Sequence, residues 1–77
     1  MRVISVNVNG IRSAARKGFY EWLKGQRADF VCMQEIKAHE VDLHEDIVAP
    51  KGFHAAFSLA EKKGYSGVGL YLSLIHI

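Results

Sequence analysis

The first residues alternate. In MRVISVNVNG, Ile4, Val6 and Val8 fall on one side of an extended chain, and Val3, Ser5 and Asn7 on the other. β-Branched residues suit a pleated, packed surface, and Asn9-Gly10 is a turn signal. The pattern predicts a strand over 2–8 with Asn7 at its C-terminal edge. The period then changes. Ile11 to Lys17 suggests a short helical turn, interrupted by Gly18, after which Phe19, Trp22 and Leu23 recur at the i, i+3, i+4 spacing of an amphipathic helix ending near Gly25. A second strand is predicted over Asp29–Met33, with Asp29 at its entry and Gln34, Glu35 and Lys37 crowded at its exit. Strand, helix and strand in so short a span read as a βαβ-like unit.

The stretch AHEVDLHEDIVAPKG is polar and predicts a loop with at most one helical turn near 42–48. Phe53, Ala55 and Phe57 alternate in a third strand, Phe53–Ser58. AEKKGYSG reads as a turn or loop, and Val68–Tyr71 begins a fourth strand. No internal repeat, low-complexity tract or linker divides the chain.

Composition bounds this picture. Seventy-seven residues, nearly half apolar and under a quarter charged, make one small globular domain or a piece of a larger one. A chain of about 60 residues buries only roughly 60% of its unfolded surface, so stability is expected to be marginal. Ten Lys+Arg against eight Asp+Glu leave +2, which neither demands nor excludes a polyanionic partner. Cys32 is the only cysteine, which excludes an intrachain disulfide. Inside an apolar run it reads as a small buried hydrophobe. A lone thiol without an export signal fits the cytoplasm. No apolar segment approaches the ~20 residues of a membrane span, so no membrane association is expected.

Three groups carry candidate chemistry. Asn7 and Glu35 end two strands which, if paired in parallel, bring both side chains to the sheet edge where ligands gather in open α/β sheets. A carboxylate and an amide oxygen are hard donors suited to Mg²⁺, which takes few protein ligands and keeps several waters. The plainer reading, a surface glutamate and a turn asparagine, stays open beside it. Arg12 and Lys37 lie just past strand edges, placed to neutralise phosphate or simply solvated. KKGYSG, residues 62–67, has glycines and Ser66 that allow close approach to a phosphate backbone, and it also reads as an ordinary hairpin loop. His39, His44, His54 and His76 show no zinc-ligand spacing. No nucleophile elbow, Walker A loop or dinucleotide fingerprint appears. From the residues alone the reading stops at an α/β chain with an edge suited to an anionic ligand.

The order of motifs goes further. ISVNVNGIR, GFYEWL, ADFVCMQEIK and KGYSGVGLY, in this order and spacing over residues 1–71, resemble the exodeoxyribonuclease III family of apurinic/apyrimidinic (AP) endonucleases, within the endonuclease/exonuclease/phosphatase superfamily. The resemblance implies a four-layer αββα two-sheet sandwich. It implies Mg²⁺-dependent hydrolysis of double-stranded DNA at abasic sites and 3′ ends, with Mn²⁺ able to stand in, by a monomeric enzyme. It assigns Glu35 as the metal-binding glutamate and Asn7 as the active-site asparagine holding the metal and its waters, both counted as catalytic. It places Asn9 close to the DNA path and gives Gln34 and Lys37 supporting positions around Glu35. Lys37, Arg12 and the Gly64–Gly67 loop, with Tyr65 and Ser66 at its centre, fall in DNA-contacting regions.

The chain also departs from that family. Relatives are much longer, and their water-activating aspartate, its asparagine partner, the catalytic tyrosine and the terminal aspartate–histidine pair find no match here. The expectation is an N-terminal portion of a nuclease domain over 1–71, inactive alone, with strand faces lacking their partner sheet. Residues 72–77, LSLIHI, are apolar where relatives continue with Ser-Arg or Ser-Lys, and look like translated sequencing adapter rather than family sequence. The alternatives are another phosphoesterase of the superfamily, acting on a lipid or inositol phosphate, and a non-catalytic nucleic-acid-binding or inert fragment.

Overall fold

Alternation in the strands decides which side of the sheet is covered. The computed structural model describes residues 1–38, 43–59 and 67–74. Along the chain run β1 (Val3–Asn7), α1 (Ile11–Arg16), α2 (Phe19–Lys24), β2 (Phe30–Gln34), α3 (Glu45–Val48), β3 (Phe53–Ser58) and β4 (Val68–Ser73). They form one mixed sheet in the order β1-β2-β4-β3. The first pair is parallel, joined through α1 and α2 as the βαβ-like reading requires, and the other two pairs are antiparallel. The α/β class read from the sequence is the one observed.

Two rows of side chains cross the covered face. Ile4, Val31, Tyr71 and Ala55 are in register, and beside them Val6, Met33, Gly69 and Phe57. Against these pack Ile11 of α1, Leu23 of α2 and Ile47 of α3, forming the core with Val8, Ile36 and Ala38. At Gly69 the side chains of the neighbouring strands fill the space a Cβ would take. A Cβ there would meet the Phe57 ring at 2.7 Å and the Met33 methyl at 3.0 Å. Tyr71 is fully buried and carries a polar atom into this core. Its hydroxyl donates to the Ile47 carbonyl at 2.6 Å and lies 2.6 Å from the Tyr20 hydroxyl, which therefore donates to it. Burial pushes both phenols above their ordinary range, so both stay neutral.

Among the described residues, nothing covers the opposite face. Its rows are Val3, Phe30, Leu72 and His54; Ser5, Cys32, Leu70 and Ala56; and Asn7, Gln34, Val68 and Ser58. The face is apolar at one end and turns polar toward the edge that carries Asn7. Val3, Val68 and Leu70 are 59%, 53% and 37% exposed.

Three expectations shift. Cys32 is half-buried, because β2 directs Val31 and Met33 to the helices and leaves Cys32 on the open face. Trp22 is exposed, because Leu23 takes the buried position of α2 while Trp22 stacks on Phe19 at the rim with centroids 5.9 Å apart. Strand limits move by one or two residues, β1 shortening to Val3–Asn7, β2 sliding to Phe30–Gln34 and β4 running on through Ser73. β3 spans the residues expected.

Candidate functional site

The β1–β2 pairing continues beyond both strands. Val8 N–H donates to the Gln34 carbonyl at 3.0 Å, Gly10 N–H to Glu35 at 2.8 Å and Ile11 N–H to Ile36 at 3.0 Å. The segments after the two strands are thus zipped together, and α1 starts from this anchor. Ile36 is fully buried, and its N–H donates to the Gly67 carbonyl at 3.1 Å, which brings the start of β4 to the same edge.

Glu35 and Lys37 flank Ile36 with φ of 55° and 53°, and Asn9 has φ 47°. Side-chain-bearing residues rarely adopt this left-handed conformation, and three of them at one edge show backbone held by its surroundings. The effect is to bury Ile36 while Glu35 and Lys37 both emerge at the edge, each rather more than one-third exposed.

The four polar side chains are joined. Asn7 Nδ2 donates to Glu35 Oε2, and Asn7 Oδ1 accepts the Asn9 N–H at 2.9 Å. Lys37 Nζ lies 3.3 Å from Glu35 Oε1 and donates to Asn9 Oδ1 at 2.7 Å. The Asn7 amide, then Lys37, hold the Glu35 carboxyl below the ordinary carboxylate range by bonding its charged form. These bonds favour the ionised carboxylate.

Every expected member of the site that lies among the described residues can be placed. Asn7, Asn9, Glu35 and Lys37 are brought together. Arg12 lies in the first turn of α1, directly after the Ile11 anchor. Gly64, Tyr65 and Ser66 fall outside the described residues, while Gly67 sits against Ile36. Gln34 does not reach Glu35. Its Nε2 donates to Ser5 Oγ at 3.0 Å and so ties β2 to β1 on the open face. Ser5 was not singled out by sequence reasoning, and its position on the polar side of β1 was the only signal. A cavity of about 460 Å³ between the α1–α2 layer and α3, lined by Tyr20, Leu23, Ile47 and Phe53 among others, contains none of the site residues.

Among the described residues no three His, Cys, Asp or Glu side chains group together, which does not suit zinc. The edge offers one partly exposed carboxylate, with the Asn9 amide oxygen across Lys37 Nζ and the Asn7 amide turning its nitrogen toward Glu35; few hard oxygen donors of this kind fit Mg²⁺, which keeps much of its water.

Residues 4–74 match the Endonuclease/Exonuclease/phosphatase family. The chain is 42% identical over 74 residues to the exodeoxyribonuclease of Bacillus subtilis (strain 168), covering 92% of this chain and 27% of that protein. It is 37% identical over 70 residues to the DNA-(apurinic or apyrimidinic site) endonuclease of Dictyostelium discoideum, covering 91% of this chain and 19% of that protein. The crystal structure of the Xenopus laevis APE2 catalytic domain superposes with a TM-score of 0.81 at 36% identity, over 95% of this chain and 23% of that one. An AP endonuclease from Archaeoglobus fulgidus gives a TM-score of 0.78 at 34% identity, over 94% of this chain and 27% of that one. The chain therefore spans about a quarter of the length of these relatives, or less.

Proposed function

The chain belongs to the endonuclease/exonuclease/phosphatase family, and we propose that it is the N-terminal part of a Mg²⁺-dependent DNA-repair phosphodiesterase of exodeoxyribonuclease III type. Its substrate is double-stranded DNA with abasic sites or 3′ ends. The observation that carries this reading is the joining of Asn7, Asn9, Glu35 and Lys37 at one sheet edge, within a chain whose relatives are named as exodeoxyribonuclease and AP endonucleases.

Glu35 and Asn7 would hold the cation. When bound, Mg²⁺ supplies Lewis-acid stabilisation of charge on the phosphodiester oxygens. Glu35 would serve as a ligand rather than a base, because the Asn7 amide bonds its charged form and favours the ionised carboxylate. Lys37, Arg12 and the backbone and hydroxyl donors of Gly64, Tyr65 and Ser66 would position the DNA backbone without reading bases. The bonded cluster of one carboxylate, two amides and one ammonium contains no group suited to take a proton from water. Cleavage therefore requires residues beyond these, and the 77-residue chain alone is expected to be inactive.

A nicking assay on an abasic-site duplex tests the proposal, with the whole protein in Mg²⁺ and in chelator. Metal-dependent nicking on the 5′ side of the abasic site is expected. Release of phosphate from inositol phosphates or lipid headgroups, with no nicking, would move the protein to another branch of the superfamily.

A further inference from the structure

Building on the metal site proposed above, we infer that Lys37 is a placeholder cation: its ammonium occupies Glu35 in the metal-free protein and leaves when a divalent cation binds. The ammonium sits between Glu35 Oε1, at 3.3 Å, and Asn9 Oδ1, at 2.7 Å. These are two oxygens of the kind a hard cation seeks. The other carboxylate oxygen takes the Asn7 amide. Both oxygens of Glu35 are thus engaged by the chain itself.

The backbone beneath this contact is fixed. Ile36 is fully buried and bonded on both sides, to Ile11 N–H through its carbonyl and to Gly67 through its N–H. Glu35 and Lys37 hold their left-handed conformation on either side of it. The part free to move is the four-carbon Lys37 stem, which ends at the partly exposed edge. A Mg²⁺ bound to Glu35 would compete with that ammonium for the same carboxylate, and two cations at one carboxylate repel even at a partly exposed edge. Metal entry and departure of Lys37 are then one exchange. It keeps the carboxylate compensated at every stage and leaves a released ammonium where a phosphate arrives.

Two measurements on the whole protein without DNA test this. In Mg²⁺ titrations by calorimetry, Lys37→Gln should bind roughly fivefold more tightly than wild type, the scale of losing one partly exposed ion-pair competitor. Lys37→Arg should bind like wild type. In ¹⁵N-detected NMR of lysine ammonium groups, the Lys37 signal should shift on Mg²⁺ addition while that of Lys24, paired with Glu21 on α2, stays in place. If wild type binds Mg²⁺ but Lys37→Gln binds no more tightly, or the Lys37 signal stays unmoved, the exchange is wrong and the metal site stands. If no variant binds Mg²⁺, the metal assignment falls and the exchange with it.

Discussion

The Asn7 amide donates to the Glu35 carboxylate across the parallel β1–β2 pair, joining residues 28 apart in sequence. The contact rests on register. Asn7 stands opposite Gln34, which puts Glu35 one step past the strand end. A slip of one residue would turn Asn7 toward the helices. The same amide accepts the Asn9 N–H with its oxygen, so its orientation is fixed from both ends.

Removing that amide should raise the pKa of Glu35. The carboxyl is held low chiefly by Asn7 and secondarily by Lys37. A group whose pKa is lowered on folding lends stability above its unfolded pKa, about 4.3 for glutamate, and loses it as pH falls through the lower folded value. Carboxyl ¹³C titration should therefore place Glu35 higher in Asn7→Ala than in wild type. Between neutral pH and acid, wild type should lose more stability than Asn7→Ala. An unchanged Glu35 midpoint would show that the contact does not hold the charge.

Glu35→Gln keeps the shape of the side chain and removes its charge. In the whole protein, Mg²⁺-dependent cleavage of abasic DNA should fall by about 10²-fold or more, the scale of losing a group that acts on transition-state charge. DNA affinity measured in chelator should change little, since phosphate contacts are assigned to other residues. Parallel loss of affinity and turnover would make Glu35 a structural residue.

Much of this edge was legible in the chain. Alternation in Val3–Asn7 and the apolar run before Gln34 placed two strand ends together, and the strands do pair in parallel. The left-handed turns at Glu35 and Lys37 were not legible, because neither residue type favours positive φ. They are imposed by burial of Ile36 and its bond to Gly67, contacts distant in sequence. The Gln34–Ser5 bond and the Tyr20–Tyr71–Ile47 relay were hidden for the same reason. Periodicity also could not rank Trp22 against Leu23, since both lie on one helical stripe and only the position of the sheet decides which is covered.

The tyrosine relay gives a stability prediction. Tyr71→Phe keeps the packed ring but removes the donor to the Ile47 carbonyl and the acceptor for Tyr20. Leaving buried polar groups without partners should cost about 1–3 kcal/mol, read as a lower urea midpoint at unchanged slope. Tyr20→Phe removes only the outer member and should cost less. Equal losses would mean that the Ile47 contact contributes nothing of its own.

Gly69 should tolerate no β-branched side chain. A Cβ there already meets Phe57 and Met33 at 2.7 and 3.0 Å. The further methyls of Gly69→Val would displace the Phe57 ring from the covered face. Overpacking of this kind costs about 1–3 kcal/mol. Met33→Ala combined with Gly69→Val should recover part of that loss if the clash is local. A double variant no better than the sum of its singles would show that the backbone of β4 has shifted instead.

The open face yields the last prediction. Phe30, Leu72, Cys32 and Leu70 present apolar surface with no helix of the described residues over it, bordered by exposed Val3 and Val68. A bare apolar sheet face is unfavourable in water. The two-sheet sandwich implied by the family resemblance would cover it with a second sheet. On that reading, residues 1–77 made alone should self-associate and bind a hydrophobic dye. Leu70→Lys should then have opposite effects in two settings. In the isolated chain it interrupts the patch at its middle row and should reduce self-association in sedimentation experiments. In the whole protein it buries a charge between sheets and should lower stability by several kcal/mol. If the isolated chain is monomeric in dilute solution and unfolds cooperatively on heating, the face needs no partner layer. If Leu70→Lys leaves the whole protein as stable as wild type, whatever covers the face does not pack on Leu70.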